Sequence, residues 1–316
     1  MSLLGASLEI LIGIGLVILA GIMVEELVDW ISWRINKSSA SIAMILAPLM
    51  TSAPEMAVFV IALVEGKKNI AWGTIVSQPF MASTIIYPAV VLVAIASYYF
   101  GKRKSRVVRV HKFVAVPLLA FTLPLLPIMF LHPETHGIYG RIYGIVIIAV
   151  YFIYSYFMLR GESNVAKEPS LRLKLPFLQV GSSVVMLYVG GELMVRGIYA
   201  LGILLNMNET ALSVLIVPLA TVVPESIVGL IFIVKNRDDE GISAIVGEKA
   251  LYGTFYPGLA MALGAYTLDF ASKAALEIAL VVSPIESIAI WFGYFGVTAP
   301  IGILGYILYL IKVLMI

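Results

Sequence analysis

Apolar runs of 18 or more residues recur from one end of this 316-residue chain to the other, and no large soluble domain fits between them. Such runs are soluble in hydrocarbon and cross a bilayer as helices of about 20 residues. Composition agrees: 61% of residues are hydrophobic and 13% charged, with a mean hydropathy of +1.01. A soluble domain is about half apolar and a quarter charged. The apolar N-terminus, from Leu3 onward, has no basic leader and reads as the first span, not as a removed signal peptide. With no cysteine, the chain has no disulfide, thiolate site or iron–sulfur cluster.

Ten spans are expected, at about 5–33, 40–65, 70–99, 111–131, 137–159, 176–200, 209–234, 241–267, 272–292 and 296–315. Both termini then share one side. The connections 34–39, 100–110, 160–175 and 235–240 share the other, and with Lys112 they carry 14 of the 21 Lys and Arg residues. Five lie on the side of the termini, and Arg196 and Lys249 fall inside spans. The positive-inside rule puts the basic side in the cytoplasm and both termini outside, as for a multi-pass cell-membrane protein. The run GKRKSRVVRVHK reads first as a topology signal and second as a contact for anionic membrane lipid.

Two interruptions break the apolar pattern. LMTSAPEMAV, residues 49–58, and LATVVPESIV, residues 219–228, place Glu55 and Glu225 170 residues apart. At the same offset Gly21 meets Gly191, Asn36 meets Asn206, Pro48 meets Pro218, Thr51 meets Thr221 and Pro54 meets Pro224. Ile75, Val76 and Thr84 meet Ile245, Val246 and Thr254. So long a register without a gap is a duplication. Five spans per copy reverse the orientation of the second. The fold class predicted is an all-α polytopic membrane protein of ten helices in two inverted five-helix repeats, with helices 2 and 7 broken. The first repeat is 1–160, the linker 161–175 and the second repeat 176–316. In such folds matching broken helices meet at the midplane and hold the substrate.

Proline withholds a backbone donor and leaves carbonyls that need a partner in hydrocarbon, and a cation is one such partner. Thr51 and Glu55 are four residues apart and share a helix face, as do Thr221 and Glu225. A midplane carboxylate costs about 2.5–3.5 kcal/mol on insertion scales, which makes two symmetry-related ones hard to explain as accidents. Carboxylate, hydroxyl and carbonyl oxygens suit a hard cation such as Ca2+, which takes about 6–8 of them. In the third and eighth spans TIVSQPF aligns with AIVGEKA, adding Gln78 as a neutral oxygen and Glu248 as a third carboxylate. Lys249 could pair with Glu248 or another acid, replace a coupling cation, or face elsewhere.

The remaining ionisable residues read more simply. Glu25, Glu26 and Asp29 face an aqueous vestibule or pair with Arg34, and Glu192 pairs with Arg196 along one helix. Glu277 and Glu286 read as structural hydrogen-bonding groups, and His111, His132 and His136 as solvated.

TSAPE and TVVPE resemble the alpha-repeat signature of the calcium/cation antiporter superfamily, which includes sodium/calcium exchangers: approximately G-T-S-x-P-E, followed by a G-N-x-x-G-S-N-type helix. The resemblance spans nearly the whole chain. It implies calcium exchange by alternating access, with spans one and six sliding across the other eight. It carries the calcium-binding glutamates to Glu55 and Glu225, the threonines to Thr51 and Thr221, and the serine to Ser52. The chain departs from the signature at Met50, Ala220 and Val222. Gln78 and Glu248 stand where the family has serines, and Ala82 and Tyr252 where it has Asn and Asp. In sodium exchangers those positions help form sodium sites, so the coupling ion is left open between Na+ and H+.

The expected function is a cation antiporter carrying Ca2+, or another divalent ion, against Na+ or H+. It needs no cofactor and has no nucleic-acid partner, and a monomer suffices. A passive divalent cation channel is the alternative. A membrane protease built on two acids lacks a supporting nucleophile and histidine, and the chain is not expected to be an enzyme.

Overall fold

The computed structural model describes residues 2–159, 168–204 and 217–314, and every regular element among them is a helix. Helix α1 (Leu3–Ile35) starts where Ser2 accepts the Gly5 amide and stops at Asn36, which adopts the left-handed conformation with φ 53°. Helix α2 (Ser39–Thr51), capped by Ser38, gives way at Ser52 to α3 (Ala53–Val64) with a bend of 47°. Pro54, which cannot donate into the preceding turn, sits just after the break. Helix α4 (Lys68–Met81) passes through a π turn, Ala82–Ile86, into α5 (Tyr87–Tyr99). The short helices α6 (Ala115–Ala120) and α7 (Leu125–Ile128) precede α8 (Pro133–Met158).

Helix α9 (Pro176–Leu204) opens the second half, followed by α10 (Val217–Val234) and α11 (Asp238–Ala250). A second π turn, Leu251–Phe255, leads into α12 (Tyr256–Ala262), and α13 (Phe270–Trp291) and α14 (Thr298–Leu314) complete the described chain. The duplication is visible in these elements. Helices α4 and α11 begin 170 residues apart, at Lys68 and Asp238, and their π turns begin 169 apart, at Ala82 and Leu251. Pro88 and Pro257, also 169 apart, follow the two π turns and have no amide to return to them.

Two expectations need correction. Among the described residues six helices are long and apolar enough to cross a membrane, and the bent pair α2–α3 makes a seventh. The expected fourth span is the short pair α6 and α7. Part of the seventh, residues 209–216, lies outside the described residues. The eighth carries Ser243, Glu248, Lys249 and Thr254, which lower its hydropathy. Second, α10 runs unbroken through Pro224. Proline inside a membrane helix is tolerated where neighbouring helices support the backbone.

Glycines let α1 and α9 pack backbone to backbone. A Cβ on Gly13 would lie 2.6 Å from the Gly190 carbonyl oxygen, and one on Gly190 2.9 Å from that of Gly13. At one end of the bundle ion pairs tie α1 to the α10–α11 turn. Arg237 donates to both oxygens of Asp29 at 2.7 Å and to Glu240 at 3.0 Å, and Lys235 donates to the buried Glu25. Glu26 takes Arg172 at 2.8 Å. These acids therefore do not pair with Arg34. Arg196 reaches Glu9 on α1 at 3.4 Å rather than Glu192 on its own helix, because α1 lies against the same face. The buried Arg103 forks onto Asp238 at 2.6 and 3.0 Å and fastens the basic loop over α11.

Candidate ion-binding site

Pro48 has no amide to give the Met44 carbonyl, four residues back in α2. Gly247 of α11 packs against that carbonyl so closely that a Cβ there would overlap it. This contact brings the next residue, Glu248, against the end of α2. Thr51 Oγ1 lies 3.2 Å from Glu248 Oε1 and 2.9 Å from the Ala47 carbonyl, so its single proton serves one acceptor at a time.

Glu55 sits in the first turn of α3, where the helix N-terminus favours negative charge. Its carboxyl lies beside that of Glu225 on α10, and Glu248 lies within electrostatic range of both. Glu225 is 3% exposed and Glu248 5%. The other Glu55 oxygen, Oε2, is buried with no hydrogen-bond partner. The Tyr252 hydroxyl donates to Glu225 Oε1 at 3.3 Å, and the Tyr256 hydroxyl meets Ser52 Oγ at 2.6 Å.

The structure thus brings Glu55, Glu225, Glu248 and Thr51 together, with Ser52 held alongside through Tyr256. Buried Gln78 lines the same cavity as Glu55. The Thr221 side chain lies outside the described residues. Tyr256 was not singled out from the sequence, although it follows Tyr252 by four residues and Glu248 by eight, on one helix face. Lys249 faces away from the three carboxyls.

A cavity of about 300 Å³ leads to this cluster between α3, α4, α9 and α10, lined by Glu55, Thr74, Ser77, Gln78, Glu192 and Pro224 among others. Among the described residues no group of three or more His, Cys, Asp or Glu side chains is arranged to hold a metal ion. Glu225 takes Tyr252 and Glu248 takes Thr51 instead, so gripping an ion requires them to exchange those partners.

Buried acids on helices of the two halves, at the end of a cavity in an apolar helical protein, define a membrane ion transporter rather than an enzyme. A model of the family described as sodium/calcium exchanger protein matches residues 5–160 and 175–316, and the chain belongs to that family of transmembrane ion antiporters. Its fold is similar to that of the sodium/calcium exchanger from Methanococcus jannaschii, with 17% identity over 98% of each chain and a TM-score of 0.72. Structures of the sodium-calcium exchanger NCX_Mj soaked with zero Na+ and Ca2+, and with 100 mM Na+ and 10 mM Sr2+, are also similar. Both are 17% identical with TM-scores of 0.71, the first over 99% of each chain and the second over 100% of this chain and 99% of that one. A search of curated protein sequences gave no match.

Proposed function

We propose that the protein exchanges Ca2+ for a monovalent cation, Na+ or H+, by alternating access, with the divalent ion held near the midplane between two inverted five-span repeats. The observation that carries this reading is the meeting of Glu55 and Glu225, equivalent positions of the duplication, beside a cavity that Glu55 lines. Their oxygens, with those of Glu248, Thr51, Ser52, Gln78 and Thr221, would form the site. The repeat boundaries 1–160 and 176–316, with the linker 161–175 between them, are supported by the paired π turns. The basic loops favour cytoplasmic connections and extracytoplasmic termini.

Proton coupling is the narrower reading. Ala82 offers no oxygen ligand, and Tyr252 spends its hydroxyl on Glu225, where the resembled signature has Asn and Asp. Glu248 adds a further buried ionisable carboxyl to the cluster, for which protons and a divalent ion would compete. Calcium uptake into proteoliposomes under separately imposed gradients decides the matter: uptake should follow the proton gradient without sodium. Uptake that needs sodium and ignores pH would reject proton coupling. Flux indifferent to either gradient would favour a channel.

Glu192 is the other acid lining the cavity, and its side chain is exposed. It should gather cations at the mouth. Glu192→Gln is expected to raise the KM for Ca2+ by about three- to fivefold at low salt, with kcat unchanged and the difference shrinking at high salt. A KM unaffected at low ionic strength would remove Glu192 from the access route.

A further inference from the structure

Lys249 is 1% exposed, in the middle of the bundle, yet it makes no contact with the neighbouring Glu248. Its ammonium donates to Ser83 Oγ, on the first π turn, at 2.6 Å and to Ser283 Oγ on α13. The two serine oxygens are themselves 3.0 Å apart. The Tyr87 ring centroid lies 5.8 Å away, within cation–π range. The acid within electrostatic range is Glu286, one helical turn beyond Ser283 and 0% exposed. Neither Glu286 oxygen accepts a bond from the ammonium.

This is an unusual way to bury a lysine. A structural ion pair of this kind brings nitrogen and carboxylate into direct contact, because an ammonium in a low-dielectric interior is costly unless closely paired. Here the nitrogen sits among hydroxyl oxygens, over an aromatic face and near one carboxylate. Those are the neighbours that a small monovalent cation takes. Ser83 and Ser283 come from helices far apart in sequence, so the polar pocket is built by the tertiary fold.

We propose that Ser83, Ser283, Glu286 and the face of Tyr87 form a second cation site, and that its resident cation is the tethered ammonium of Lys249. The site lies beside the carboxyl cluster but is separate from it, since Lys249 and Glu248 are adjacent and point to different neighbours. A tethered occupant cannot be released. It fills the pocket in place of an exchangeable ion and keeps Na+ or another small cation from binding there. The transport consequence rests on the antiporter reading: one fewer monovalent ion would be exchanged per cycle. The existence of the site does not depend on that reading.

The test begins with cation binding to purified full-length protein. Lys249→Ala should be stabilised, saturably, by methylammonium or ammonium, read as a rise in Tm over choline at equal ionic strength. Wild type and the Lys249→Ala/Glu286→Gln double variant should show no such rise. In vesicles Lys249→Ala should lose about tenfold or more of its calcium uptake and recover part of it with methylammonium. A Lys249→Ala protein indifferent to every monovalent cation would overturn the proposal. So would Lys249→Met with wild-type uptake and Tm, because the ammonium would then only fill space.

If Lys249→Ala does not fold, Glu286→Gln decides. It leaves the ammonium unbalanced near the carboxyl cluster, and Ca2+ affinity should fall about tenfold, the effect of a unit charge at an effective dielectric near 20. Unchanged affinity would overturn the proposal. A wild type that binds no calcium would instead defeat the antiporter reading and leave the monovalent-cation titration to judge the site.

Discussion

Glu55→Gln and Glu225→Gln should each abolish calcium uptake and weaken divalent binding by on the order of a hundredfold, since affinity at oxygen sites follows the number of charged ligands. Glutamine keeps the size and one oxygen of each side chain, so the loss reports charge and not shape. The two variants should behave alike because the residues occupy equivalent positions of the duplication and lie beside each other. Isothermal calorimetry with Ca2+ on both variants, beside vesicle uptake, separates binding from transport. Wild-type affinity in either variant would remove that glutamate from the site. Glu248→Gln offers a graded comparison. Its carboxyl is anchored to Thr51 at 3.2 Å, and a smaller loss of affinity with altered pH dependence of uptake is expected if it serves the counter-ion rather than calcium.

Gly247→Ala should have the second-largest effect, although it adds a single methyl group. The new carbon would overlap the Met44 carbonyl, and both parties to the clash are backbone, so no side-chain rotation relieves it. Helices α2 and α11 must separate, and Thr51 and Glu248 separate with them. Overpacking of this kind costs about 1–3 kcal/mol. Misplacing the neighbouring ligand should reduce uptake by about tenfold or more in addition. The control is Gly181→Ala on α9, where an added Cβ meets nothing within 4 Å and both Tm and uptake should stay at wild-type values. Thermal melting and uptake measured on the two variants make the comparison direct. Equal behaviour would mean that the α2–α11 contact is not what places Glu248.

The opposed glutamates were legible before any coordinates because each sits in a proline interruption of an apolar run, and the two interruptions keep one register. Their proximity follows from the duplication. The same alignment led to Glu248 and Gln78, and the structure places Glu248 beside Thr51 and Gln78 along the cavity of Glu55. The break between α2 and α3 was equally readable from Pro54. At its counterpart, Pro224, α10 stays continuous, since a membrane helix packed among others can absorb a proline without breaking.

Sequence by itself determined the membrane environment, the helical class, the duplication and the pair of acids at its centre. Each is written in a local pattern, whether apolar length, period or register, and local patterns survive without knowledge of distant neighbours. Tertiary structure alone decided which charge meets which. Asp29 takes Arg237 from 208 residues away instead of Arg34, and Arg196 takes Glu9 instead of Glu192. It also decided that Lys249 turns from Glu248 to Ser83 and Ser283, and that Tyr252 and Tyr256 close over Glu225 and Ser52. A long polar side chain can reach several helix faces, and only the packing of helices remote in sequence selects the one where its charge is balanced.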